Sequence, residues 1–97
     1  QAAALLPDDA ESHYNLGLAL KTQNALTEAV DSYRTALSIN PNYAEAHANL
    51  GNTLSMLGKF DEAIANLRSA LKIRPDSADE HNSLGVTLRS LGQLVQA

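Results

Sequence analysis

Apolar residues recur along this chain at helical rather than strand spacing. His13, Leu16, Gly17 and Leu20 fall at i, i+3, i+4 and i+7, one stripe of a 3.6-residue helix, and the stripe returns as His47, Leu50, Gly51, Leu54 and as His81, Leu84, Gly85, Leu88. A second set of stripes alternates with the first: Leu26, Ala29, Val30, Tyr33, Ala36, Leu37, then Phe60, Ala63, Ile64, Leu67, Ala70, Leu71. Pro7, Pro41 and Pro75 close each second stripe, and Asp8, Asn42 and Asp76 follow as N-cap candidates for the next helix. Asn24, Gly58 and Gly92 mark the turn between the two helices of a pair, where a left-handed residue is needed. The pattern predicts antiparallel helix pairs, one after another.

The pairs are copies. Ala10–Tyr43 laid over Ala44–Ser77 agrees at fourteen of 34 positions, among them Asn15/Asn49, Leu16/Leu50, Gly17/Gly51, Ala29/Ala63 and Pro41/Pro75. Residues 78–97 agree with the second block at nine of 20 positions. The chain therefore divides into residues 1–9 as the end of a preceding unit, units at 10–43 and 44–77, and a truncated unit at 78–97. Gly17, Gly51 and Gly85 sit inside helices, where Gly costs about 0.5–1 kcal/mol relative to Ala, so a repeated Gly needs a packing reason. Close approach to the small Ala29 and Ala63 on the facing helix is the expected one.

Composition narrows the chemistry. Alanine and leucine dominate and aromatic residues make only 4%, which favours helix over strand. The longest apolar run, Ala2–Leu6, is far short of a membrane span, and no leader precedes it, so a cytoplasmic setting is expected. A net charge of -4 has the wrong sign for tracking phosphates, which argues against a nucleic-acid partner. The absence of Cys removes thiolate catalysis and Cys-based zinc sites. The three His lie 34 residues apart, on equivalent positions of stacked units about 8–10 Å apart or more. That is too far for one zinc ion, so packing or hydrogen bonding in the core between units is the stronger reading. The acids crowd helix starts, where caps and the helix dipole favour anions. Neither a nucleophile–base motif nor a phosphate loop is present, so no catalytic residue, metal or cofactor is expected.

Thirty-four-residue helical hairpins carrying Leu16-Gly17, Leu50-Gly51 and Leu84-Gly85, with Ala29 and Ala63, Tyr33 and Leu67, and a Pro closing each unit, resemble the tetratricopeptide repeat. The resemblance implies an all-α, right-handed α-solenoid of antiparallel helix pairs, with the first helix of each unit lining a concave groove that takes a peptide or a partner helix. On this chain the lining would be Glu11, Tyr14, Asn15 and Leu18; Glu45, Asn49, Asn52 and Met56; and Asn82, Ser83, Val86 and Arg89. The positions of a carboxylate clamp read Tyr14, Leu18, Asp79 and Ser83, with only Asn49 agreeing, so a clamp is not expected. The blocks AESHYNLGLAL and AEAHANLGNTL also resemble the repeats of O-linked N-acetylglucosamine transferases, whose asparagine ladder holds a substrate backbone. Asn15 and Asn49 fit two rungs, and Ser83 breaks the third. Three functions follow as expectations: a groove for a protein or peptide, the docking arm of a larger glycosyltransferase, and self-association through the uncapped Leu5, Leu6, Leu91, Leu94 and Val95.

Overall fold

The computed structural model describes residues 9–96. Five helices follow one another with no strand among the described residues: α1 (Ala10–Thr22), α2 (Leu26–Ile39), α3 (Ala44–Met56), α4 (Phe60–Ile73) and α5 (Ala78–Gln96). Helices α1 with α2 and α3 with α4 form antiparallel hairpins, and α2 then packs on α3 and α4 on α5. The product is an all-α solenoid, about 52 × 27 × 18 Å.

The hairpin turns have one construction. Asn24 at φ 65° and Gly58 at φ 81° take the left-handed conformation. The Ala25 amide returns to the Leu20 carbonyl and the Asn24 amide to Lys21, and Lys59 and Gly58 repeat these bonds to Leu54 and Ser55. Each is a Schellman closure, which satisfies carbonyls the helix end leaves open. Helices α2 and α4 stop instead at Asn40 and Arg74, extended residues that precede Pro41 and Pro75 and are barred from continuing the helix by the proline ring.

The third unit departs from the expected pattern. Helix α5 runs unbroken through Gly92 to Gln96, so Gly92 is not a turn and Leu94 and Val95 do not start a second helix. The N-caps also shift. Asp9, not Asp8, caps α1, its carboxylate accepting from the Ser12 amide at 2.7 Å, an interaction that holds its pKa below the usual value. Tyr43 occupies the cap position before α3 without a side-chain bond, and Asn42 lies outside it. Helix α5 begins at Ala78, two residues past Asp76. Ala2, Ala3, Leu5, Leu6, Pro7, Asp8 and Ala97 lie outside the described residues.

The core sits at the junctions. Ala29, Val30, Tyr33, Leu50, Leu54 and Ala63 form one buried cluster, and Ala10, Ala36 and Ala46 a second, smaller one. Two helix glycines are closed by large side chains rather than by alanine alone. A Cβ on Gly17 would meet Tyr33 Cε1 at 2.5 Å, and one on Gly51 would meet Leu67 Cγ at 2.7 Å and the Ala63 carbonyl at 3.0 Å. The close partner expected at Ala29 is therefore Tyr33, four residues on and one turn along the same face. Burial fades toward the ends: Leu50 is 3% exposed, while its counterpart Leu16 is 51% exposed. Tyr33 is fully buried, and its hydroxyl finds no hydrogen-bond partner among the described residues.

Candidate functional site

The first helices of the units form the inner side of the solenoid. Helices α1, α3 and α5 touch one another in succession, whereas the backbones of α2 and α4 stay apart, with an Arg34–Glu62 ion pair of 2.9 Å reaching between half-exposed side chains. A row that is in contact lies on the inside of a curve, and a row that is spread apart lies on its outside.

A polar and aromatic network spans α1 and α3 on this side. Asn49 Nδ2 donates to the Tyr14 hydroxyl at 3.0 Å and to the Glu45 carbonyl at 3.1 Å. Both amide hydrogens are thereby used. Its Oδ1 receives Lys21 Nζ at a long 3.5 Å. The Tyr14 ring lies 5.0 Å from Tyr43 and 5.9 Å from Tyr33, tilted by 42° and 44°, within the range of favourable aromatic pairs. Glu45 extends the network outward through an ion pair with Arg74. Desolvation first, and Glu45 after it, push the Tyr14 phenol up. Tyr43 is raised in the same way by burial and by Glu11, Tyr14, Glu45 and Asp9. The two phenols stay neutral and can donate or accept hydrogen bonds across the physiological range.

The twelve residues expected to line the groove divide accordingly. Tyr14, Glu45 and Asn49 are brought together, and Glu11 is near enough to Tyr43 to act on its charge. Leu18 leans against the Ala29–Val30–Tyr33 cluster and is half-buried, so part of it belongs to the core. Asn15, Met56, Asn82, Val86 and Arg89 stand exposed along the inner helices, and Asn52 is half-buried. Ser83 uses its carbonyl to accept from the Thr87 hydroxyl at 2.8 Å, and that hydroxyl also reaches Ser55 Oγ at 3.3 Å, linking α5 to α3. Tyr43 and Arg74 are the residues that the repeat pattern passes over. Their counterparts 34 positions away are Asp9 and Ser77 for Tyr43 and Asn40 for Arg74, so periodicity gives neither any weight.

The histidines act as fasteners between units. His47 Nε2 donates to the Pro41 carbonyl at 3.0 Å and His81 Nε2 to the Pro75 carbonyl at 2.8 Å, each across six residues. His47 Nδ1 also lies 3.1 Å from Asn66 Oδ1. Among the described residues no group of three His, Asp or Glu could hold a metal ion. Nor is any described helix long and apolar enough to cross a membrane. Two open hollows, of about 470 Å³ beside Phe60, Leu91 and Leu94 and about 320 Å³ beside Pro41, His47 and Lys72, involve none of the twelve residues.

Comparison with known proteins agrees with this architecture. One family profile, described as TPR repeat, matches residues 19–58, and another, tetratricopeptide repeat, matches residues 44–77. Two crystal structures of MamA are 28% identical over 88% of this chain, each with a TM-score of 0.85. The C-terminal TPR-containing domain of an FK506-binding protein from Plasmodium falciparum is 24% identical over 91% of this chain, also at 0.85, a likeness of fold alone. The chain spans 50%, 46% and 58% of these three chains. No curated protein sequence matches it. With two repeat profiles that together span residues 19–77 and the same solenoid in a solved TPR-containing domain, this chain belongs to the tetratricopeptide repeat family, whose repeats serve as protein–protein interaction modules.

Proposed function

We propose that the inner side of α1, α3 and α5 binds an extended segment of a partner protein, chiefly through its main chain. The observation that carries this reading is the state of Asn49. Both of its amide hydrogens are held by Tyr14 and by its own helix, which fixes the side chain, while Oδ1 is engaged only by the long contact to Lys21. A fixed acceptor with a weak partner suits a ligand N–H, which displaces a loose contact and leaves no donor unsatisfied. Asn15 and Asn82 stand exposed on the flanking helices and offer further amides, with Met56 and Val86 as apolar neighbours for side chains. Few charges interrupt this wall, so the partner's backbone rather than a charged motif would set affinity.

The test starts from peptides of about ten residues selected against the whole chain, with affinity read by fluorescence anisotropy. Asn15→Ala combined with Asn49→Ala removes two amide groups, each worth about 1 kcal/mol, and should weaken binding roughly tenfold or more with helicity unchanged by circular dichroism. Unaltered affinity would place the site on the convex face or at the array ends. The same inner side would serve a larger glycosyltransferase as its substrate-docking arm, a reading that the coding sequence past residue 97 tests.

A further inference from the structure

The inner side carries one place unlike the rest, at the junction of the two whole units. Tyr43, the residue before α3, packs on the Ala10–Ala36–Ala46 cluster with its ring centroid 5.0 Å from that of Tyr14. Both rings are only partly buried, so each keeps some of its surface at solvent. The contact with Ala10 brings its chain neighbours Asp9 and Glu11 beside Tyr43, and Glu45 follows Tyr43 by two residues. The three carboxylates act on one spot: after burial, Glu11, Tyr14, Glu45 and Asp9 push the Tyr43 phenol up. A field that disfavours a phenolate favours a cation in the same place. Asp9 is engaged by the Ser12 amide and Glu45 by the Arg74 guanidinium, whereas Glu11 enters no ion pair among the described residues.

We propose that this place takes one arginine side chain of the bound segment, its guanidinium lying on the Tyr43 ring and its outer nitrogens meeting the Glu11 carboxylate. The inference rests on the inner-side reading above and names what the partner brings to it. Arginine suits the place better than lysine, because a planar guanidinium stacks on an aromatic face and meets a carboxylate through two parallel N–H groups, whereas an ammonium is a compact, strongly hydrated charge. The chain already pairs a guanidinium with a carboxylate of this network, Arg74 with Glu45, both about half exposed. Tyr43 has Asp9 and Ser77 as its counterparts 34 residues away, neither of them aromatic, so the inner side offers the arginine a single position. Through Tyr14 that position adjoins Asn49, the fixed acceptor for the segment's main chain. An exposed guanidinium–ring contact and one exposed ion pair together change affinity by only about three- to thirtyfold, so the arginine sets where the segment lies while its main chain supplies most of the binding.

Phage-displayed random peptides are selected against the whole chain and the pool is sequenced; arginine should be enriched at one position. A labelled peptide from that pool is then compared, by fluorescence anisotropy, with a copy in which citrulline replaces this arginine, keeping the shape and removing the charge. Citrulline should weaken binding about threefold or more. On Glu11→Gln, and on Tyr43→Leu, the two peptides should bind nearly alike; Glu11 is exposed, so its variant reads the contact without disturbing the packing around Tyr43. A pool that shares a sequence but no arginine, equal binding of both peptides by the parent chain, or a citrulline effect that survives in Glu11→Gln would each overturn this inference and leave the inner-side reading standing. The variant Asn15→Ala with Asn49→Ala reads the main-chain contacts instead and should weaken both peptides. If it leaves both unchanged, the inner-side reading fails and the arginine position falls with it.

Discussion

The same substitution at two equivalent glycines should change stability in opposite directions. In a helix interior Gly→Ala gains about 1 kcal/mol from propensity alone, wherever a Cβ fits. At Gly85 it fits, with nothing within 4 Å, so Gly85→Ala should stabilise the chain by about 0.5–1 kcal/mol. At Gly51 the same Cβ would stand 2.7 Å from Leu67 Cγ and 3.0 Å from the Ala63 carbonyl. Leu67 is fully buried and the carbonyl is backbone, so neither can swing aside. Overpacking of this kind costs about 1–3 kcal/mol, which outweighs the propensity gain and leaves Gly51→Ala less stable by up to about 2 kcal/mol. For a chain of this length 1 kcal/mol moves the melting temperature by about 4–8 °C. Thermal and urea unfolding followed by circular dichroism should therefore place the two variants on opposite sides of the parent, and Gly51→Leu lower still than Gly51→Ala. Hydrogen exchange of the α5 amides reads the Gly85 effect locally, as a linear array requires when an end helix opens by itself. If the two alanine variants shift with the same sign, the packing account of these glycines is wrong.

Two further outcomes follow from buried or strained positions. Burial, then the neighbouring Tyr14, push the Tyr33 phenol from 10.0 up to about 12. A raised folded-state pKa gives stability that is fully present below pH 10 and is lost as the pH climbs toward 12. Tyr33→Phe should flatten that alkaline decline in urea midpoints, with a residual slope from Tyr14 and Tyr43, and should cost little at neutral pH because the hydroxyl it removes is unpartnered. An unchanged alkaline slope would show that Tyr33 does not carry it. At Gly58, φ 81° strains any β-branched residue, so Gly58→Val should destabilise by about 1–2 kcal/mol while Gly58→Asn costs much less, since Asn24 already holds φ 65° at the equivalent turn. Equal losses in chemical denaturation would mean that something other than backbone conformation selects this glycine.

The period, the hairpins and the two left-handed turns were legible in the sequence because each rests on local chemistry: stripe spacing, a proline stop, a residue that tolerates positive φ. What the sequence could not show depends on a neighbour. Gly92 has the chemistry of Gly58, yet it lies inside a continuous helix, so residue type alone does not make the turn. Leu16 and Leu50 hold the same place in the repeat, yet one is half exposed and the other buried, because only Leu50 has a preceding helix packed on it among the described residues. The caps fall one residue later than expected because Tyr43 and Ser77 are placed by the turns that return their amides to the Asn40 and Arg74 carbonyls, Tyr43 without a capping side-chain bond.

The candidate site was legible in part for a related reason. Asn49, Tyr14 and Glu45 were found by asking which first-helix residues point away from the Leu-Gly stripe, and that geometry repeats. Tyr43 and Arg74 were missed because they are where the repeats differ. In an array that builds its core from identical junctions, shared residues are accounted for by packing, as Gly51, Leu54 and Ala63 are. Residues that break the repeat have no such duty. Tyr43 stacks on Tyr14, and Arg74 pairs with the Glu45 whose carbonyl holds Asn49, so both departures converge on one side chain network. A feature that arises once in an otherwise repeated surface would give a chain docked on the proposed site a register, which the repeated asparagines by themselves would leave free to slip by one unit.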